Sequence, residues 1–215
     1  MGFVITSRDY CAYIRIAAKK IHENGECVTA LDAKTGDGDH WININMGFEE
    51  LVKQIDTLQT LPFDQMLKKI GMLLMSKIGG SSGILYGGAY IAAGKALQEK
   101  DEIGPEELYM MLHEMVQDMM QRGKAEPGFK TMIDALYPAA QTCRKCLDEG
   151  DDDRTLLAQV KQAALDGAES TRNMEAVKGR ASYQANKGIG DLDPGAVTMS
   201  YQIECLCDYI TEKLL

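Results

Sequence analysis

The sequence predicts an all-α protein, a single domain over residues 1–215 built from eight antiparallel helices set up and down as a barrel or bundle. Apolar residues recur at the helical period along nearly the whole chain, and no segment keeps the two-residue alternation of a half-buried strand. The intervening loops are short, without a linker, a low-complexity stretch or a repeat of about 20–50 residues to divide the chain. A chain of 215 residues can bury a core without disulfide or metal staples.

The first helix is predicted from Arg8 to Asn24, with Tyr10, Ile14, Ala17, Ala18 and Ile21 on one face and Gly25 as its stop. A second spans Ile44 to Leu58 on a stripe of Phe48, Leu51, Val52, Ile55 and Leu58. Pro62 opens the third, which turns Leu67, Ile70, Leu74 and Ile78 inward before Gly79-Gly80 ends it. Ser82 to Leu97 is rich in Gly and Ala, so that helix must pack closely on its neighbours. Gly104-Pro105-Glu106-Glu107 is a strong start signal, because proline tolerates the first turn and acids complement the helix dipole. Leu108, Met111, Leu112, Met115 and Met119 form the stripe that follows. Thr131 to Leu147 faces inward through Met132, Leu136, Ala139, Ala140 and Cys143. Asp151-Asp152-Asp153 reads as an exposed turn and cap before the helix of Leu156, Leu157, Val160 and Ala164, and the last helix runs from about Ala196 to Leu214.

A formal charge of -9 and a pI near 4.9 argue against nucleic acid or an anionic membrane as partner, since either needs a basic face. The N-terminal residues turn polar at once and no apolar run reaches membrane length, so a soluble, cytoplasmic protein is expected. Cys143-Arg-Lys-Cys146 and Cys205-Leu-Cys207 lie in helical segments without a glycine knuckle and read as ordinary thiols rather than a zinc site.

Chemistry concentrates in Asp32-Ala-Lys-Thr-Gly-Asp37-Gly-Asp39-His40-Trp41-Ile42-Asn43. Three carboxylates crowded around two glycines repel one another unless a cation sits among them, and an all-oxygen donor set suits Mg²⁺ or Ca²⁺. An EF-hand register fails from either start, because Trp41 or Lys34 falls on a ligand position. The bland alternative is a cap, with Asp39 or Asn43 closing a helix near Ile44, but one cap explains one aspartate and not three.

Three other loops look built for phosphate or a ring. Gly79-Gly80-Ser81-Ser82-Gly83 precedes a helix and offers free N–H groups and two hydroxyls, although no Walker lysine follows. Arg122-Gly123-Lys124-Ala-Glu-Pro-Gly-Phe-Lys130-Thr131-Met132 carries three cations on a proline-stiffened loop. Lys178-Gly-Arg180-Ala-Ser-Tyr leads through Gly188 to Asp193-Pro194-Gly195, and Arg180 is the candidate phosphate clamp. Together the four loops suggest a nucleotide site at one end of the helical array.

Taken in order, these motifs resemble the nucleotide-binding L subunits of the dihydroxyacetone kinase family, from about Tyr10 to the C-terminus. The resemblance implies an eight-helix barrel holding ADP or ATP through two Mg²⁺ ions on Asp32, Asp37 and Asp39. It implies that His40, Trp41, Ile42, Asn43, Ser81 and Ser82 contact the phosphates, while Gly123, Met132, Arg180, Asp193, Pro194 and Gly195 line the nucleotide. It further implies a separate K subunit that holds dihydroxyacetone or a related short ketose, and a phosphoryl-carrier subunit of the phosphotransferase system that recharges the resident ADP. A subunit exchanging free ATP, or a nucleotide-loaded module reporting to a transcriptional regulator without catalysis of its own, are the alternatives. Trp41, Phe129 and Asp191 depart from the glycine, aspartate and histidine common in the family, and the indole of Trp41 is expected to narrow the phosphate path or stack on a partner.

Overall fold

The computed structural model describes residues 2–215. Its elements in chain order are β1 (Ile5–Thr6), α1 (Ser7–Glu23), α2 (Gly25–Thr35), α3 (His40–Lys53), α4 (Ile55–Leu58), α5 (Phe63–Lys77), α6 (Gly80–Ala96), β2 (Glu102–Ile103), α7 (Pro105–Gly123), α8 (Ile133–Glu149), α9 (Asp153–Ser170) and α10 (Pro194–Lys213). Two short 3₁₀ turns, Thr171–Asn173 and Arg180–Tyr183, interrupt the segment between α9 and α10. The all-α class is therefore as expected. The apolar stripes face inward, and apart from the half-buried Ala18 and Val52 every residue assigned to one is buried.

Two local expectations are corrected. Residues 25–35 form a helix, because Gly25 starts α2 instead of merely stopping α1, whose C-cap is Asn24. The helix predicted over 44–58 begins four residues earlier at His40 and breaks at Gln54, leaving the single turn of α4. Asp39 occupies the cap position of α3 without a side-chain cap bond, so capping does not account for its carboxylate. A two-residue antiparallel ladder, Ile5 opposite Ile103 and Thr6 opposite Glu102, ties the N-terminus to the entry of α7.

Helix ends follow their signals. Thr6 and Asp9 form a reciprocal capping box on α1, Glu107 accepts from the Gly104 N–H at 3.1 Å on α7, and Asp152 accepts from the Thr155 N–H at 2.9 Å on α9. The close approach expected of the small-residue helix occurs between α5 and α6, where a Cβ on Gly71 would lie 2.5 Å from the Gly87 carbonyl oxygen. Any larger residue there would push the two backbones apart.

The long helices pack in a cycle in which α1 meets α3, α3 meets α5, α5 through α10 each meet the next, and α10 returns to α1. That cycle uses eight helices, with α2 and α4 outside it. Its interior holds four buried tyrosines: Tyr10 and Tyr13 meet edge to face at 4.9 Å between ring centroids, and the Tyr10 and Tyr90 hydroxyls stand 3.4 Å apart. Tyr86 is fully buried one helical turn from Tyr90. Five of the six thiols are buried, and burial pushes Cys143 up to about 12, which fits inert core cysteines.

Candidate functional site

Asp32 stands near the end of α2 with its side chain buried, while Asp37 and Asp39 belong to the turn that joins α2 to α3. Gly38 sits in that turn at φ +77°, a conformation that folds the two carboxylates toward Asp32. One oxygen from each of the three aspartates lies within 4.8 Å of the others, the one such cluster among the described residues. Burial, and then repulsion from Asp37, raises the Asp39 pKa, as expected of carboxylates lacking sufficient counter-charge. The nearest cation is Arg180, whose guanidinium lies 2.6 Å from Asp37 Oδ2. Oxygen-only donors, converging charge and a glycine turn fit a hard divalent cation.

A cleft of about 520 Å³ opens from this triad. Four helix N-termini border it, those of α3 at His40, α6 at Gly80 to Ser82, α8 at Thr131 to Ile133, and α10 at Asp193 to Gly195. Unpaired N–H groups and aligned dipoles at such ends attract anions, so the polar half of the cleft suits phosphate beside metal. The other half is walled by Ile84, Leu85, Met119, Ala125, Met132 and Ile133, a surface suited to a flat ring. Asp32, Asp37, Asp39, His40, Asn43, Ser81, Ser82, Gly123, Met132, Arg180, Asp193, Pro194 and Gly195 are thus brought together around one cavity.

The DAK2 domain family matches residues 34–208 of the chain. The chain belongs to the DAK2 family. This DAK2 chain is 37% identical over 181 residues to the "PEP-dependent dihydroxyacetone kinase, ADP-binding subunit DhaL" of Escherichia coli, covering 84% of this chain and 86% of that one. It is 35% identical over 195 residues to the "PTS-dependent dihydroxyacetone kinase, ADP-binding subunit DhaL" of Lactococcus lactis, covering 89% and 92%. Its fold is similar to the crystal structure of the C. freundii dihydroxyacetone kinase in complex with AMP-PNP and Mg²⁺, with a TM-score of 0.70 and 27% identity over 92% of this chain and 33% of the other.

Two of the expected cleft residues of this DAK2 chain do not line the cavity. The Trp41 indole turns away from it, donating Nε1–H to the Ile21 carbonyl at 3.0 Å and covering Gly25. Ile42 points to solvent, about half exposed. The indole therefore does not narrow the phosphate path; it fills the space between α1, α2 and α3. Trp41→Gly is expected to cost about 2–3 kcal/mol of stability while changing ADP affinity less than about twofold, read by denaturant melts and calorimetric titration. Gly25→Ala would put a Cβ 2.6 Å from the indole, so it should destabilise the native domain by about 1–3 kcal/mol and be rescued in the Gly25→Ala/Trp41→Gly double variant.

The other departures also serve the fold of the DAK2 domain. Phe129 packs against the core, and Asp191 accepts from Lys34 Nζ at 3.1 Å, tying the 174–193 segment to α2. Lys130 was legible only as one of three loop cations, yet it is buried, with its ammonium donating to the Thr171 and Asp191 carbonyls. Burial lowers its pKa. Asp134 accepts from the Gly128 and Thr131 N–H groups and so pins the same loop from below.

Asp193 caps α10 by accepting from the Ala196 N–H at 2.7 Å, and burial pushes its carboxyl up from 3.8 to about 7. Between those two values the native state holds a proton that the unfolded chain has lost, so this group makes stability fall as pH rises through the window. Asp193→Asn should flatten the dependence between about pH 4 and 7 by up to one proton, about 1.4 kcal/mol per pH unit, in denaturant melts of metal-free protein. An unchanged slope would mean that Asp193 ionises normally.

Proposed function

We propose that this chain, as one unit over residues 1–215, is the ADP- and Mg²⁺-binding subunit of a phosphotransferase-linked dihydroxyacetone kinase. The carrying observation is the cleft, where three converging carboxylates face four helix N-termini and one arginine at the edge of an apolar slot. In this reading Asp32, Asp37 and Asp39 would hold two Mg²⁺ ions, which when bound would supply the positive charge that phosphate needs beside three carboxylates. The N–H groups at the starts of α3 and α6, with the Ser81 and Ser82 hydroxyls, bind phosphate oxygens and orient them. Arg180, already beside Asp37, reaches the phosphate being transferred and balances the charge that develops on it. The apolar slot, closed by Gly123 and Met132, takes the base.

Phosphoryl transfer asks the protein for position and charge rather than a nucleophile, so the groups that activate the ketose belong to a separate K subunit. A phosphoryl-carrier subunit then recharges the bound ADP in place, in the cytoplasm. Similarity over most of this chain to relatives named as ADP-binding subunits of PEP- and PTS-dependent dihydroxyacetone kinases supports this reading. No helix among the described residues is long and apolar enough to cross a membrane.

Native mass spectrometry of the purified protein before and after EDTA tests the reading. The expected spectrum shows ADP with two Mg²⁺, both lost on chelation. A protein that is empty as purified and takes up nucleotide only weakly with added Mg²⁺ would overturn the resident-nucleotide reading, in favour of exchangeable ATP or of a module that reports to a transcriptional regulator.

A further inference from the structure

Four lysine and arginine side chains line the cleft, and three of them are already engaged. Arg122 donates from Nε to Asp118 Oδ2 at 2.7 Å, and the Arg180 guanidinium lies 2.6 Å from Asp37 Oδ2. Lys130 commits its ammonium to the Thr171 and Asp191 carbonyls. Lys178 is the exception: half-buried in the cleft wall, it has no carboxylate or carbonyl partner among the described residues. Nothing in the chemistry above uses it.

The backbone on either side of Lys178 is pinned. The Val177 N–H donates to the Phe129 carbonyl at 3.2 Å, beside the start of α8, and the Ala176 N–H to the Lys187 carbonyl at 2.9 Å. Gly179 follows at φ +71°, where a side chain would be strained, and its carbonyl accepts from the Ser182 hydroxyl at 2.7 Å. One fixed turn thus presents two cations to the same cavity, Arg180 set against the acidic triad and Lys178 free. A half-buried ammonium has given up part of its hydration, and only an anion that reaches it restores the loss. The same cavity is bordered by the N-termini of α8 and α10, so an anion here meets oriented N–H groups and a point charge together, a combination that suits phosphate.

We propose that Lys178 is a phosphate-binding residue of the cleft, donating its ammonium directly to a phosphate oxygen of the nucleotide. The assignment rests on the nucleotide reading above. Its role differs from that of Arg180, which has to leave Asp37, or share itself with it, before it meets the ligand. Lys178 has no such bond to break, so its full charge is available when the nucleotide enters.

Lysine acetylation rates of the wild-type protein, read peptide by peptide in a mass spectrometer, test the contact without any substitution. With Mg²⁺-ADP at about ten times its Kd only about one protein in eleven is free, so the rate at Lys178 should fall about 10-fold. Lys124 and Lys187, which do not line the cleft, should keep their rates. Lys178→Gln should weaken Mg²⁺-ADP binding about 10-fold, as expected for one hydrogen bond between charged groups, while Lys178→Arg, which keeps the charge, should stay within about threefold. The Tm of the metal-free protein should not move in either variant, because no partner within the fold is lost. Lys178 still reactive beside bound ADP, or a folded Lys178→Gln that binds within about twofold of the wild type, overturns the proposal and leaves the nucleotide reading standing. Wild-type protein that binds no Mg²⁺-ADP overturns the nucleotide reading, and this assignment with it.

Discussion

Asp37→Ala should empty the cleft of nucleotide while leaving the helices intact. Asp37 lies in the turn between α2 and α3, half open to solvent, so no packed side chain is lost with it. What is lost is one of three oxygens that lie within 4.8 Å of each other, together with the partner of Arg180. Removing groups that only support a metal ligand already costs about 10–100-fold in affinity, so removal of a ligand should cost more than about 100-fold in Mg²⁺-dependent ADP binding. Stability without metal should move less than about 1 kcal/mol, because an exposed ion pair contributes little and repulsion of Asp39 is relieved at the same time. Calorimetric titration and circular dichroism on one preparation read both quantities. Wild-type affinity in a folded Asp37→Ala variant would remove the triad from the site.

Lys130→Met should have the largest effect on stability, a loss of about 3–4 kcal/mol. The lysine is 2% exposed, and its ammonium holds the Thr171 and Asp191 carbonyls at the two ends of the segment that carries Arg180. Methionine restores the volume but leaves both carbonyls without that donor, at about 1–3 kcal/mol each, and strips Asp134 and Asp193 of a nearby positive charge. For a chain of this size the expected loss lowers Tm by roughly 6–16 °C. Trypsin should also cut the variant faster at Lys178, Arg180 and Lys187 as the 174–193 segment loosens. An unchanged Tm and an unchanged cleavage rate would show that the segment is held by other contacts.

The helices legible in the sequence are those with a continuous apolar stripe. α2 was not legible, because beyond Val28 it buries little that is apolar, and Gly25 resembled a terminator. The acidic cluster announced itself by charge density within a dozen residues, and the glycine-serine loop by its place before a helix. Lys130 and Thr35 carried no comparable signal, since each is an ordinary residue in an ordinary segment until the fold turns it toward the cavity. Trp41 illustrates the reverse error: its position beside the acidic turn suggested the cleft, but at the start of a helix successive side chains diverge by about 100°, and the indole follows the core.

The closing contact of the helical cycle carries a consequence for assembly. The acids at 32–39 and the loop at 178–195 are separated by most of the chain, and they meet only because α10 docks on α1, α2 and α3. Long-range contacts of this kind carry a large loop-closure entropy and form late, so the cavity is absent from any species in which α10 is undocked. A ligand that spans both segments binds the closed ring alone and stabilises it by mass action. On the proposed reading nucleotide and metal would act as assembly factors as well as ligands, and amide exchange in α10 should slow as they saturate the site.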